Sequence, residues 1–452
     1  MENIFTIRAA IGRNTVSDHN FSQFMIAGTN SGSGKTMITL GILRALARRG
    51  LRCAPFKCGP DYIDPLFHRE AAGVPSFNLD SFFGSWNSYP EEIGGADCAV
   101  TEGVMGLFDG IQPDSIKGSS AEIAAKLHLP VFLTVNARGI SGSIAPLVKG
   151  FAEWHPQVKI AGVIANNIGS ERHAELLARA LEKASLPPLA GYLLRNERWI
   201  LPERHLGLAV GKLDPSWLDA LADEIEKTIC LDTILELSQT EKPLPQEKKT
   251  LPVPHLRLGT AMDEAFCFYY EENFRLLREN GVEIVPFSPL HDHALPEGLN
   301  GLYLGGGYPE LYAETLSQNG SMLRAIREFA KEHFVYGECG GYLFLLEAVA
   351  DFKGNSYPML NLLPGKAKMN SKLASLGYRE VNGDWGTIRG HEFHYSSLET
   401  PPEAPFLWQM TDARGRASSA GSIRGRVKGS YVHLHFASAP ESIHNFIGEM
   451  EL

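Results

Sequence analysis

The chain is poor in cysteine, short of basic residues and without any long apolar run. Six cysteines in 452 residues, none in a Cys-x-x-Cys pair, exclude a disulfide scaffold and point to reduced thiols. Cys53 and Cys58 are close in sequence, but nothing beside them supplies the rest of a metal site, so both read as core positions. The 42 Lys and Arg against 52 Asp and Glu leave a formal net charge of −10, which argues against broad nucleic-acid binding. Local basic pockets for an anionic substrate stay compatible with that total. No apolar stretch approaches the roughly 18 residues that span a bilayer, so no membrane partner is expected. Met1 to Asn20 is mixed and polar, without the apolar centre of a signal peptide, and the expected location is cytoplasmic. The length allows two or three domains.

What is present is most concentrated in Gly28-Thr29-Asn30-Ser31-Gly32-Ser33-Gly34-Lys35-Thr36. An apolar run, Phe24 to Ala27, precedes it, and Met37 to Leu46 follows with apolar residues at helical spacing. Strand, Gly-rich loop and helix form the context of a phosphate-binding loop. Backbone amides from Thr29 to Thr36 close around phosphate oxygens, Lys35 adds a point charge, and the Thr36 hydroxyl is placed for Mg²⁺. Five residues separate Gly28 from Gly34, one more than in the usual P-loop.

Further strands follow. Arg52 to Lys57 runs into Cys58-Gly-Pro-Asp61-Tyr62-Ile-Asp64-Pro65, where two aspartates occupy a turn at a sheet edge suited to ligands. Turn chemistry alone also favours Asp there. Asp97 to Gly103 ends in Glu102, which with Asp109 is a candidate for Mg²⁺; a solvated loop acid is the plainer reading of Asp109. Pro130–Val135 and Ile160–Ala165 read as strands, the latter ending in Asn166, whose amide could meet an adenine edge. Strands alternating with helices imply a mostly parallel sheet covered on both faces. Residues 238–254, with four prolines and mixed charges, read as a linker.

A second α/β unit begins near 255. Phe266–Glu279 reads as a helix, and Val282–Phe287 and Gly301–Leu304 as strands. Gly305-Gly306-Gly307 after the latter can present amides to an oxyanion. Phe334 to Leu346 reads strand, sharp turn, helix, with Cys339 between Glu338 and Gly340 at the turn. A helix N-terminus there would draw the thiol toward thiolate; a buried structural cysteine is the plainer alternative. Gly429–Phe436 reads as a strand whose alternation puts His433 and His435 on one face, and either is a candidate base. His391-Glu-Phe-His394 lacks the spacing of a zinc helix and reads as a non-metal site.

These stretches, with Pro202-Glu-Arg-His-Leu-Gly-Leu208, Gly305-Gly-Gly-Tyr-Pro-Glu310, Leu376-Gly-Tyr-Arg379 and Ser430-Tyr-Val-His-Leu-His-Phe436, resemble the cobyrinate a,c-diamide synthase family. The resemblance covers nearly everything after residue 22 except the linker. It implies an α/β fold: a P-loop-type, mostly parallel sheet domain like dethiobiotin synthetase at 23–237, then a class I glutamine amidotransferase domain at 255–452, with 1–22 as an extension. It implies ATP as co-substrate, Mg²⁺, L-glutamine and cobyrinic acid as partners, and a homodimer. Other tetrapyrroles (hydrogenobyrinic acid, nickel-sirohydrochlorin, sirohaem) are the alternative substrates. Lys35, Thr36, Lys57 and Asn166 would serve ATP, and Thr36, Asp61 and Glu102 the metal. Asp61, Tyr62, Asp64 and Asp109 would serve substrate or intermediate. Cys339 would be the nucleophile, His433 its base, and Gly305, Gly306 and Gly340 the oxyanion hole. Ordinary members of the class carry Glu two residues after the histidine; here that residue is His435, which leaves a Cys339–His433 dyad.

Overall fold

The computed structural model describes residues 20–199, 213–243, 251–400 and 402–451. The Pro202–Leu208 motif and nearly all of the N-terminal extension lie outside these residues. The chain divides into two compact units, the first holding most residues before 247 and the second residues 248–452. Among the described residues no helix is long and apolar enough to cross a membrane.

The first unit is one twisted sheet built from β1 (Asn20–Gly28), β2 (Cys53–Cys58), β3 (Phe77–Leu79), β4 (Cys98–Glu102), β5 (Val131–Asn136), β6 (Ile160–Ile168) and β7 (Leu189–Leu194). Its order is β3-β2-β4-β1-β5-β6-β7, and these seven strands run parallel. Parallel strands need crossovers, and the helices that supply them cover both faces. Alternation along β1 shows this directly: Phe24 and Ile26 enter one core, Met25 and Ala27 the other. Helix α1 (Lys35–Arg48) follows the P-loop, and α2 (Ile63–Ala72) follows the aspartate turn. The stretch read as linker is not wholly one: β8 (Gln239–Glu241) pairs antiparallel with the start of β1.

Register decides which side chains meet. Ile26 of β1 and Lys57 of β2 both pair with Glu102 of β4. The P-loop, Lys57 and Glu102 therefore emerge together at the carboxyl edge of adjacent strands, where open α/β sheets bind ligands.

The second unit carries a parallel set of β9 (Leu256–Ala261), β10 (Val282–Phe287), β11 (Gly301–Leu304) and β12 (Phe334–Glu338), joined on β12 by strand Val427–Ser430. Leu304 pairs with Gly337 and Glu338 with Ser430, so the glycine loop after β11 and Cys339 after β12 sit side by side. A separate antiparallel sheet includes Ser375–Gly383, Gly386–His394 and the two-residue strand His433–Leu434. Two expectations are corrected here. The helix read over Phe266–Glu279 begins only at Glu271, because Asp263 turns the chain by accepting from the Ala265 and Phe266 amides. Gly429–Phe436 is not one strand, since the chain leaves the parallel sheet after Ser430 and joins the antiparallel one at His433.

Candidate active sites

In the first unit, the P-loop places Gly34 at φ 99°, a left-handed conformation that disfavours any side chain. A Cβ there would also fall 1.9 Å from Asn166 Nδ2. That nitrogen donates to Ser33 O at 2.9 Å, and Asn166 Oδ1 accepts from the Asn167 amide at 2.9 Å. Asn166, expected at an adenine edge, braces the loop with one bond at each end of its amide, which leaves a second N–H and a second lone pair for a ligand. Ser33 Oγ is buried and has no hydrogen-bond partner among the described residues. Lys35 Nζ donates to Met105 O at 2.6 Å. Burial and Lys57 depress its pKa from the ordinary value, although Glu102, Asp64 and Asp109 oppose them.

Beneath the loop lies a buried charge cluster. Glu102 Oε1 accepts from Thr36 Oγ1 at 2.7 Å and from Lys57 Nζ at 2.9 Å. Its Oε2 is 2.8 Å from His68 Nε2, and His68 Nδ1 is 3.1 Å from Ser76 Oγ. Lys57 Nζ also contacts Asp64 Oδ2 at 2.7 Å. Burial alone would push the Glu102 carboxyl up, but Lys57 and the hydrogen bond to His68 hold it well below the usual carboxylate range. Burial opposes the Lys57 charge in turn, and Asp64 and Glu102 outweigh it and raise that pKa. Glu102 and Lys57 are ionised, and the hydrogen bond from Thr36 sets Glu102 directly under the loop.

The expected acids separate. Glu102 is fully buried at the loop. Asp64, expected at substrate, is buried on α2 in its ion pair with Lys57. Tyr62 is buried as well. Asp61 caps α2, accepting from the Ile63 and Asp64 amides. Asp109 is exposed and closes a turn by accepting from the Gly106 amide at 2.8 Å. His68 was not anticipated. Its signal was present: Asp64, Phe67, His68 and Ala71 fall on one face of α2 at helical spacing, and that face is the buried one.

In the second unit, Cys339 occupies the turn between β12 and the helix Gly340–Leu345 at φ 46°, ψ −101°. A non-glycine residue at positive φ stores strain, and here it sets a buried cysteine at a strand-to-helix elbow. The elbow is tied down by Cys339 N–H to Ser430 O at 2.8 Å and Gly341 N–H to Gly305 O at 2.8 Å. Burial, then Glu310 and Glu392, push the thiol up, against one favourable contact from the Gly340 amide. The expected thiolate is therefore not the resting form; desolvation and three nearby carboxylates, Glu310, Glu392 and Glu338, outweigh the helix terminus.

His433 is buried and kept neutral, since burial and the neighbouring His391 and His394 push its pKa well below the ordinary value. A neutral imidazole can act as a base, and its Nδ1 lies 3.9 Å from Oε2 of Glu338, the residue that precedes Cys339. The His433 ring stacks on His391 with centroids 5.1 Å apart. A Cβ on Gly306 would fall 2.3 Å from His433 Cε1, so glycine at 306 is what lets the loop approach the imidazole. Gly305 is corrected as an oxyanion donor: its N–H already donates to the Tyr269 hydroxyl at 2.8 Å. Gly306 and Gly340 keep that expectation. His435, two residues beyond, is buried with neither ring nitrogen hydrogen-bonded among the described residues.

Residues 24–208 match the family described as the CobQ/CobB/MinD/ParA nucleotide binding domain, and residues 257–441 the CobB/CobQ-like glutamine amidotransferase domain. A cobyrinate a,c-diamide synthase of Syntrophotalea carbinolica is 43% identical over 94% of this chain and 98% of its own. The chain belongs to the cobyrinate a,c-diamide synthase family. Family members so named from Dehalococcoides mccartyi and Salmonella typhimurium are 42% and 40% identical, over 95% and 94% of this chain and 98% and 97% of theirs. Membership agrees with the α/β architecture of both units and with an ATP-using, glutamine-hydrolysing ligase.

Proposed function

We propose that this chain amidates the a and c acetate carboxylates of cobyrinic acid, using ATP and glutamine, through acyl-phosphate intermediates. The observation that carries the reading is that one chain of this family holds a braced P-loop with its buried Lys57–Glu102 cluster and, in the other unit, a cysteine at a strand-to-helix elbow and a buried neutral histidine. In the first unit, the loop amides and Lys35 bind the phosphates of ATP, and a substrate carboxylate oxygen attacks the γ-phosphorus. ADP leaves, and the acyl phosphate then loses phosphate to ammonia, giving the amide. Mg²⁺ fits the corner under the loop, where Thr36 and ionised Glu102 would hold it; bound there it would neutralise phosphate charge. Among the described residues no group of three His, Cys, Asp or Glu converges for a metal, so water and nucleotide phosphates would complete its shell.

In the second unit, the Cys339 sulfhydryl proton passes to His433 as the sulfur attacks the side-chain amide carbon of glutamine. Amides of Gly306 and Gly340 face the oxyanion. His433 returns the proton to the departing nitrogen, ammonia leaves, and water hydrolyses the thioester to glutamate and free thiol. Neither nitrogen release nor carboxylate activation alone forms an amide, which gives both sites a reason to share a chain. The test is mass spectrometry of cobyrinic, hydrogenobyrinic and sirohydrochlorin-type tetrapyrroles incubated with the protein, ATP, Mg²⁺ and glutamine. Paired conversion of two carboxylates to amides on cobyrinic acid is the expected result. Conversion of another tetrapyrrole with cobyrinic acid unchanged would overturn the substrate assignment.

A further inference from the structure

His435 occupies the position where a class I amidotransferase would carry its orienting carboxylate, and a neutral imidazole with neither nitrogen hydrogen-bonded among the described residues cannot perform that task. A different carboxylate is within reach. Glu338 ends β12, immediately before the nucleophile, and its Oε2 lies 3.9 Å from His433 Nδ1, with both side chains 2% exposed. The carboxylate is held from three sides. Tyr303 donates to Oε2 at 2.7 Å, while Tyr336 and the Leu434 amide donate to Oε1 at 3.1 Å each. Leu434 follows His433, so Glu338 also grips the backbone of the short strand that carries the base.

We propose that Glu338 is the positioning carboxylate of the glutaminase centre, completing a Cys339–His433–Glu338 relay in which nucleophile and carboxylate are consecutive residues. The inference rests on the assignment of Cys339 and His433 above. The strand break makes the arrangement possible: β12 ends at Glu338, and Cys339, at φ 46°, begins the turn into the following helix. At 3.9 Å a carboxylate facing Nδ1 acts by its charge: it favours the tautomer with its proton there and leaves Nε2 to receive the Cys339 proton. When Nε2 takes that proton, His433 becomes an imidazolium and Glu338 balances its charge. Glu338 itself forms and breaks no bond.

Glu338 must be ionised to do this. Burial pushes its carboxyl up to about 7, against the stabilising hydrogen bonds from Tyr303, Leu434 and Tyr336. The titratable groups facing it are Tyr303 on β11, Tyr336 on its own strand, Tyr269, Cys339 and His433. Those facing His433 are His391 and His394. Of these, Glu338 is the group whose ionisation falls near neutrality and favours the imidazolium.

The test is the pH profile of glutamine hydrolysis by the full-length protein and its variants. Wild type is expected to gain activity as pH rises through about 7. Glu338→Gln is expected to lower kcat on the order of 10²-fold with little change in KM, to lose that limb, and to keep ammonium-driven amidation. Tyr303→Phe leaves every charge in place but removes a donor to the carboxylate, so the limb should move to higher pH. This second variant decides the matter if Glu338→Gln does not fold. Unchanged kcat and pH profile in Glu338→Gln, or an unmoved limb in Tyr303→Phe, would overturn the proposal. His433→Ala separates the two levels: glutaminase activity surviving it removes the underlying assignment, whereas its loss beside an active Glu338→Gln removes only the role of Glu338.

Discussion

Glu102 carries three donors at once, and that number sets what its replacement should do. Thr36, Lys57 and His68 all point at one fully buried carboxylate. Glu102→Gln keeps the shape but removes the charge that Lys57 and His68 surround. The expected cost is about 1–3 kcal/mol of stability, read by urea denaturation, because buried partners lose their match. Phosphoryl transfer should also slow by about 2–4 kcal/mol in barrier, read as ADP formation with ammonium as nitrogen source. Unchanged values of both would remove the cluster from the account. A second residue-scale expectation concerns acid. His391 and His435 are buried neutral, burial being the main cause, with pKa values pushed down to about 3. Unfolded histidine takes up its proton near pH 6.5, so the unfolded state binds more protons between about 6.5 and 3. Stability is therefore full above about 6.5 and is lost as pH falls through that window, on the order of 1 kcal/mol per pH unit for each ring. His435→Phe should flatten the fall of Tm with acidification; an equally steep fall would show that the ring titrates in the folded protein. The P-loop and the Cys339 elbow stand out in the sequence because each sits in a local pattern with a chemical reason, whereas strand alternation leaves His433 and His435 as equal candidates and only the resemblance favours His433. The sequence hid His68, since a single buried histidine on a helix face looks like any core residue until the register brings Glu102 beneath it.

At the scale of elements, glycine marks where backbone must approach catalytic atoms. Gly306→Ala would drive a methyl into His433. The expected outcome is loss of most glutamine-dependent amidation with ammonium-dependent amidation retained, measured as amide product from each nitrogen source. Equal activity with glutamine would mean that the loop and the imidazole are not in contact during turnover. Strands were easier to read than their ends. β10 and β11 fall where the sequence places them, whereas the strand expected at Gly429–Phe436 divides between two sheets. Period-two alternation continues through that stretch, but hydrogen-bond partners do not, and partners are a property of the fold. Residues 239–241 show the opposite case: a polar segment followed by prolines still pairs when the start of β1 lies beside it.

In the whole molecule the proposed carboxylate activation belongs to one unit and the proposed ammonia release to the other, each with its own core. The most direct test is amide formation on cobyrinic acid by Lys35→Ala and Cys339→Ser, each assayed with glutamine and separately with a high concentration of ammonium. Lys35→Ala should fail with both nitrogen sources, because the lysine balances charge on the transferring phosphoryl group. Cys339→Ser should fail with glutamine and still amidate with ammonium, because the acyl phosphate needs only a nucleophile. Glutamine-dependent product from Cys339→Ser, or ammonium-dependent product from Lys35→Ala at the wild-type rate, would contradict the account.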